Sequence, residues 1–171
     1  MTLHAVLKYL VYKWKAKNRH GVHSPFAYAF VENIVENKKG LALANIRVPW
    51  TSRFPVRYDR LVKRMMAYYG YTCIVNASLK DGALNTCDVL LIDENDPLKW
   101  QQLFKDNQRL IADGSAVIIT GIHKTINHTS SWDDIRTNDP VRMSIDLNGV
   151  GILFFRKEFR ERQHFMLRAG K

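Results

Sequence analysis

Acidic and histidine side chains follow the apolar runs in the second half of the chain. Asp93 comes directly after residues 89–92, and His123 and His128 stand on either side of polar residues 125–127. At the carboxyl ends of strands in an α/β sheet, such side chains form active sites. There Asp93 can bind a metal or cofactor, and His123 can act as a general base. The alternatives are a carboxylate that caps the next loop and ordinary loop histidines.

Basic residues form the second group with a chemical role, and they are unevenly placed. The formal net charge is +10, and residues 1–64 hold 13 of the 26 Lys and Arg but only 3 of the 16 Asp and Glu. This excess predicts an anionic partner, which is nucleic acid, a phosphate-bearing ligand or a membrane surface. The alternative is a solvated basic face that keeps the protein soluble. The predicted anion-binding residues are Lys13, Lys15, Lys17, Arg19, Arg47, Arg53 and Arg57.

Length and composition are typical of one globular domain. With 171 residues, 46% of them hydrophobic, the chain can bury a core without disulfides or metal. No uncharged apolar run approaches the roughly 18 to 20 residues of a membrane helix, and the first residues lack the basic start of a secretory signal. A cytoplasmic location is expected, with Cys73 and Cys87 as reduced thiols.

Helical periodicity dominates the first 69 residues. It predicts an amphipathic helix over residues 2–17 whose apolar stripe packs into the core. Ser24 and Pro25 are typical of the cap and first residue of a second helix, which ends near residue 36. Residues 37–54 are irregular, and residues 58–69 read as a third helix. The stripe of the first helix consists of Leu3, Val6, Leu7, Leu10, Val11 and Trp14.

From residue 71 the pattern changes to short apolar runs. Residues 73–75, 89–92 and 117–119 predict parallel strands that are covered on both faces. A helix that starts at Asp96 and Pro97 and includes Ile111 connects the second and third runs, which makes a βαβ unit.

The last third has the pattern of antiparallel strands. Residues 141–147 alternate in polarity, Asn148 and Gly149 favour a hairpin turn, and residues 151–155 are apolar. A short helix is predicted to begin near Ser130, and a final strand over residues 164–168.

Several motifs resemble those of one family. Lys-Asn-Arg-His-Gly-Val-His-Ser-Pro-Phe at residues 17–26, Asp-Val-Leu-Leu-Ile-Asp at residues 88–93 and the ending at residues 144–168 are similar to a bacterial O-methyltransferase-like group of the class I S-adenosylmethionine-dependent methyltransferases. The resemblance implies a truncated, three-layer Rossmann-like α/β fold, with a mostly parallel sheet and C-terminal antiparallel strands. Residues 1–57 would be a basic helical lobe and residues 58–171 the methyltransferase domain, together one structural unit.

The cofactor-binding part departs from the family pattern. The family has a glycine-rich turn after its first strand, because a Cβ there would collide with the cofactor, and a ribose-binding acid after its second strand. Here the turn at residues 76–82 has one glycine, placed late. S-adenosylmethionine is the cofactor that the resemblance implies, with Asn76, Ser78 and Asp93 as the candidates to hold it, and weak binding is expected.

The departure predicts a missing pair of strands. Only about ten residues separate the first two apolar runs, which is too few to form the two outer strands of the family. The first and fourth strands of the family are neighbours, and the remaining sheet stays continuous. Ile74 and Val75 then lie at a sheet edge, which residues 37–57 or a second subunit in a homodimer should cover.

The catalytic part departs as well. Cation-dependent members hold a metal with the acid after the fourth strand and acids after the fifth. Asp93 matches the first, but Thr120 and Gly121 stand at the second, so no metal is expected. The chain is interpreted as a methyltransferase-like protein with little or no activity alone. The alternative is a non-catalytic module that binds an anionic partner through its basic lobe.

Overall fold

The protein has an α/β fold around one six-stranded sheet in a computed structural model. The structure describes residues 2–37, 46–51, 56–79 and 86–169, and the side chain of Arg19 is not among the described ones. Helices cover both faces of the sheet, which gives three layers. This architecture is compatible with a Rossmann-like fold.

The strand order brings sequence-distant segments together. The strands are β1 (Ile74–Asn76), β2 (Cys87–Ile92), β3 (Ile111–Thr120), β4 (Met143–Asp146), β5 (Val150–Phe154) and β6 (Gln163–Met166), in the sheet order β1-β2-β3-β5-β4-β6. β5 is antiparallel to both neighbours, and the other pairings are parallel. Five strands therefore end at the same edge of the sheet, where side chains from distant positions meet.

In the described part of the chain, five α-helices surround the sheet. They are α1 (Leu3–Lys15), α2 (Pro25–Phe30), α3 (Val56–Tyr69), α4 (Trp100–Asp106) and α5 (Ile126–Arg136), and a π-helical turn, Val31–Val35, continues α2. Thr2 caps α1, and Ser24 caps α2 with Pro25 at its first position. The predicted cap and proline of the second helix are confirmed.

Two helix boundaries differ from the sequence prediction. The helix predicted to include Ile111 ends at Asp106, because Ile111 pairs with Cys87 and already belongs to β3. The helix predicted near Ser130 begins at Ile126, after Thr125, whose side chain accepts a hydrogen bond from the His128 amide. A polar cap outweighed the apolar anchors that suggested the later start.

Alternation along the strands separates the two layers of the core. Val89 and Leu91 face the side of α2 and α3, whereas Leu90 and Ile92 face the side that contains Trp100 of α4. The predicted continuous apolar runs are thus explained by burial on both faces. Residues of α2, the π-helical turn and α3 share the first layer with the sheet, so these helices and the strands pack into a common core layer.

β1 and β2 are direct parallel neighbours, as predicted. Ile74 pairs with Val89, and Asn76 with Leu91, with β1 at the edge of the sheet. Val75 is buried and Ile74 is half-buried, which confirms the expected burial of this edge strand. The homodimer that was the alternative cover stays a prediction.

A carboxylate fixes the entry into β1. Asp88 Oδ2 accepts hydrogen bonds from the backbone amides of Thr72 at 2.7 Å and Cys73 at 2.9 Å, and the Thr72 hydroxyl lies 3.2 Å away. Burial opposes ionisation, but the hydrogen bonds from Cys73 and Thr72 outweigh it and lower the pKa of Asp88. The ionised side chain therefore holds the start of the edge strand against its neighbour.

The apolar stripe of α1 does not pack into the core, so that prediction is wrong. Leu3, Leu7, Leu10 and Trp14 are exposed, and Tyr12 is the residue of the helix that is buried. Tyr12 is buried in place of the stripe, because its hydroxyl donates a hydrogen bond to the Leu167 carbonyl while its ring is covered. Across the described residues, every helix is too short or too polar to cross a membrane.

Asp88→Asn should lower the free energy of unfolding by about 1 to 2 kcal/mol at neutral pH, because charge-assisted hydrogen bonds become neutral ones. The folded pKa of Asp88 is depressed, so its stabilisation is present above the unfolded value of about 3.9 and is lost as pH falls through the folded value. Urea unfolding at neutral pH and near pH 3 measures this. Asp139→Asn, at an exposed carboxylate, is the control. An equal difference at both pH values would contradict the assignment.

Candidate anion-binding site

Residues 49–51 lie across the carboxyl ends of β1 and β2. The Pro49 carbonyl accepts a hydrogen bond from Asn76 Nδ2 at 2.7 Å, and Trp50 Nε1 donates to Asp59 Oδ1 of α3 at 2.9 Å. The Thr51 amide donates to Asp93 Oδ2 at 2.8 Å. Three consecutive residues are thus fixed to β1, α3 and β2, and we call them the plug.

Asp93 is the buried anchor of the plug. Its Oδ2 also lies 2.9 Å from the Thr51 hydroxyl, and its Oδ1 accepts a hydrogen bond from the Thr120 hydroxyl at 2.8 Å. A buried carboxylate needs such donors, because desolvation without them is costly. Asp93 therefore joins the plug to the ends of β2 and β3.

The plug is bonded to the residues that would have to contact a cofactor. In an open α/β sheet the ligand lies at the carboxyl ends of the strands, near where Asn76 and Asp93 stand. The Asn76 side chain is bound to Pro49 and to the Ser78 amide, and Asp93 is bound to Thr51 and Thr120. The side chains of Asn76 and Asp93 therefore bind the chain itself, and Ser78 contributes its amide to Asn76, so these candidates do not fit S-adenosylmethionine in this arrangement.

Candidate metal ligands are not clustered in the described part of the chain. Within residues 2–37, 46–51, 56–79 and 86–169, no three His, Cys, Asp or Glu side chains are grouped so that they could hold an ion. Asp93 has hydroxyl and amide donors as its hydrogen-bond partners.

His123 pairs with Asp146 at the carboxyl end of β4. His123 Nε2 lies 2.8 Å from Asp146 Oδ2, and its Nδ1 lies 3.0 Å from the Thr129 hydroxyl, which is 2.9 Å from His4 Nε2. One proton arrangement satisfies all three contacts with neutral histidines: His4 donates to Thr129, Thr129 to His123, and His123 to Asp146. Sequence reasoning missed Asp146, which stands 23 residues from its partner.

The order of carboxylate, imidazole and hydroxyl in this network is that of a hydrolytic triad. However, the Thr129 hydroxyl is buried and also contacts His4. A nucleophile must reach its substrate, and this hydroxyl faces α1. The network therefore joins α1, α5 and β4, and we assign His123 a structural role.

His128 has a separate environment in α5. Its Nδ1 lies 2.8 Å from the Thr125 hydroxyl, and its ring packs edge-on against Trp100 with centroids 5.4 Å apart. Burial and the nearby Lys124 lower the pKa of His128. The two loop histidines of the sequence hypothesis thus have different partners and do not form one site.

A basic pocket of about 450 Å³ opens at the carboxyl ends of β4 and β6, between α1 and α3. Its cations are Lys13, Arg57 and Arg168, and no acidic side chain is among the described residues that line it. Concentrated positive charge in a concave site attracts anions. The full lining is Tyr9, Tyr12, Lys13, Arg57, Tyr58, Leu147, Asn148, Arg168 and Ala169.

Two buried tyrosines position the cations of the basic pocket. Tyr12 donates to the Leu167 carbonyl at 2.6 Å and accepts from the Ala169 amide at 2.6 Å, which fixes α1 to the segment that carries Arg168. Tyr58 donates to the Leu147 carbonyl at 3.1 Å, which fixes the first turn of α3 to the β4–β5 hairpin. Burial raises the pKa of Tyr12 to about 12, so its hydroxyl keeps its proton.

The cations themselves are held by local contacts. The Arg57 guanidinium stacks 4.6 Å above the Tyr58 ring, and Lys13 Nζ lies 5.5 Å from the centre of the Tyr9 ring. Arg168 Nε donates to the Ala16 carbonyl at 3.0 Å, at the end of α1. Each cation is therefore oriented by an aromatic ring or a helix end, which reduces the entropy that an anion must overcome on binding.

The basic pocket gathers two of the predicted anion-binding residues, Lys13 and Arg57. Lys15, Lys17 and Arg47 are exposed elsewhere, while Arg53 and the Arg19 side chain lie outside the described part of the chain. Sequence reasoning missed Arg168, because charge asymmetry directed attention to residues 1–64. Its place directly after the last strand is the signal that could have identified it, since strand ends form sites.

Comparison with family models, with curated proteins and with solved structures finds no match to this chain. The assignment of a site therefore depends on the geometry above and on the sequence motifs.

Thr51→Val should lower the free energy of unfolding by about 1 to 3 kcal/mol, because it removes a hydroxyl that binds the buried Asp93 carboxylate. Thr51→Ser keeps the hydroxyl and should recover most of that loss. Urea unfolding of the three proteins measures both effects. Equal stability of the valine variant and the wild type would mean that the plug is not held by this contact.

Proposed function

We propose that this protein is a non-catalytic, methyltransferase-like binding module, which holds a phosphate-bearing ligand in the basic pocket. The single observation that carries this proposal is the convergence of Lys13, Arg57 and Arg168 on one concave site whose described lining has no acid. Arginine and lysine together are the preferred partners of phosphate oxygens.

The strand order supports the relation to class I methyltransferases. β1 lies beside β2, as the first and fourth strands do in that family, and an antiparallel β5 lies between β3 and β4. The motifs at residues 17–26, 88–93 and 144–168 support the same relation. The relation accounts for the scaffold, and it does not by itself imply activity.

The plug supports a function without methyl transfer. Asp93 and Asn76 bind Thr51 and Pro49 at the strand ends where the family binds its cofactor. A cofactor there would have to displace hydrogen bonds to a buried carboxylate, which costs free energy. The glycine-rich turn of the family, whose contacts with the cofactor could offset that cost, is missing. Binding at the basic pocket requires no such displacement.

The aromatic wall of the basic pocket suggests the class of phosphate-bearing ligand. Tyr9 and Tyr12 stack with ring centroids 6.5 Å apart, and Tyr9 is partly exposed beside Lys13. An exposed ring next to a cation offers a stacking surface for a planar group and a charge for its phosphate. A nucleoside monophosphate combines both features, and we choose it as the probe.

Adenosine 5′-monophosphate should bind the wild type with an affinity that falls as salt concentration rises, because the attraction is electrostatic. Arg57→Gln and Arg168→Gln should each weaken binding by about tenfold, since each removes a charge-assisted hydrogen bond worth roughly 1.5 kcal/mol or more. Isothermal titration calorimetry measures this.

Arg109→Gln, at an exposed arginine away from the basic pocket, is the matched control and should leave the affinity unchanged. Adenosine without phosphate should bind weakly. Equal binding of adenosine and its monophosphate, or an equal loss in the Arg109 variant, would overturn the proposal. Tight binding of single-stranded nucleic acid that Arg57→Gln and Arg168→Gln do not affect would favour a basic surface outside the pocket.

S-adenosylmethionine should bind weakly or not at all, because Asp93 and Asn76 are already bonded to the plug. Magnesium and manganese should leave the melting temperature unchanged, since an ion that binds only the native state must raise it. Calorimetry and thermal denaturation test the two statements. A dissociation constant for S-adenosylmethionine in the low micromolar range, or a saturable thermal shift with either metal, would show that the strand ends open to ligands.

A further inference from the structure

One face of α1 exposes a continuous row of large apolar side chains to solvent. Leu3, Leu7, Leu10 and Trp14 recur every three or four residues and therefore lie on one side of the helix. Their exposed fractions are 76%, 54%, 56% and 82%. Soluble proteins rarely leave such a row uncovered, and a contiguous apolar patch marks a site of interaction. We call these four residues the α1 stripe.

The opposite side of α1 is already used by the fold. Tyr12 is buried and bonded to Leu167, and His4 Nε2 contacts the Thr129 hydroxyl of α5. Thr2 Oγ1 donates to the Lys124 carbonyl at 2.6 Å. The helix is thus fixed at both ends with its stripe facing outward, so the exposure belongs to the folded protein and does not arise from a frayed terminus.

The charges beside the α1 stripe indicate what covers it. The helix contains Lys8, Lys13 and Lys15, and it has no Asp or Glu. By the helical rotation of about 100° per residue, Lys13 and Lys15 lie on the two flanks of the stripe. Apolar side chains between flanking lysines are typical of helices that lie in the plane of a membrane interface, where the lysines reach anionic headgroups.

A second copy of the chain is a poorer match for this face. Two α1 stripes packed together would bring the lysines of one helix beside those of the other, with no acidic residue in either helix to pair with them. Like charges along a helix interface disfavour that pairing. An anionic surface has the complementary charge along its whole extent, and the formal net charge of +10 adds to the attraction.

We propose that α1 docks this protein on an anionic lipid surface, with the α1 stripe in the acyl boundary and Lys13 and Lys15 at the headgroups. The contact is peripheral and reversible, because one helix with four apolar anchors is the size of an interfacial element. Lys13 also lines the basic pocket, whereas Lys15 does not, so a change at Lys15 separates lipid docking from ligand binding in the pocket.

The test uses the full chain and vesicles of equimolar phosphatidylglycerol and phosphatidylcholine, with pure phosphatidylcholine for comparison. Trp14 is the exposed tryptophan, while Trp100 and Trp132 are buried and Trp50 is half-buried. A blue shift of fluorescence on anionic vesicles is expected, and Trp14→Phe should abolish it. Sedimentation with the vesicles measures the bound fraction directly.

Variants separate the apolar and the electrostatic contributions. Leu7→Ser with Leu10→Ser should weaken partition by about tenfold or more, since two apolar side chains no longer enter the interface. Lys15→Gln should weaken it by about fivefold, and high salt should weaken the wild type. Leu98→Ser is the control, because Leu98 is also an exposed leucine but lies outside α1. All these positions are exposed, and the melting temperature of each variant verifies that its fold is intact.

Three outcomes would overturn the proposal. The first is equal binding to anionic and neutral vesicles, and the second is an unchanged affinity in the double serine variant. The third is a dimer in lipid-free solution, measured by sedimentation velocity, that Leu7→Ser with Leu10→Ser dissociates. A shift of Trp14 fluorescence with a single-stranded oligonucleotide but not with vesicles would likewise assign the face to another partner.

Discussion

The Asp93 carboxylate is the interaction on which the rest of the structure depends. It directly follows β2 in a buried position, where a carboxylate must be matched by hydrogen-bond donors. Thr51 and Thr120 supply them, and this fixes residues 49–51 over the strand ends. Trp50 then reaches Asp59 and sets the first turns of α3, which carry Arg57. The buried Asp93 carboxylate thus holds the plug over the carboxyl ends of the strands. Through the plug it also orients part of the basic pocket.

Tyrosine hydroxyls likewise hold helices against strand ends, here those of β4 and β6. Tyr12 and Tyr58 each donate to a backbone carbonyl far away in sequence and fix a helix to the ends of β4 and β6. Their rings are covered while their hydroxyls are satisfied, so burial costs little. Because these contacts are rigid, the cations next to them project into one pocket and do not spread over the surface.

The same contacts explain the unusual polarity of α1. The helix is joined to the fold through Tyr12, His4 and Thr2, which bind by hydrogen bonds, and its leucines are left outside. An exposed apolar row raises the risk of aggregation, and the adjacent lysines oppose it through charge. A helix with this division serves better as a contact surface than as a core element.

The sequence by itself determined the local structure and much of the sheet. Ser24 with Pro25 predicted the start of α2, and the alternating residues around Asn148 predicted the β4–β5 hairpin. These two features follow from backbone preferences, which act over a few residues. That β1 and β2 are neighbours was expected from the family resemblance, whose first and fourth strands are adjacent. The boundaries of α4 and α5 were missed because strand pairing and a threonine cap outweighed the apolar periodicity.

Only the tertiary structure decided which groups meet. Periodicity identified the α1 stripe but not the side on which the core lies, because that side was chosen by the contact between Tyr12 and Leu167, 155 residues away. The same holds for Asp93 with Thr51, for His123 with Asp146 and for Arg168 in the basic pocket. A buried polar group pairs with the donor that the completed fold brings within hydrogen-bond distance. The spacing of residues along the chain does not indicate which donor that is.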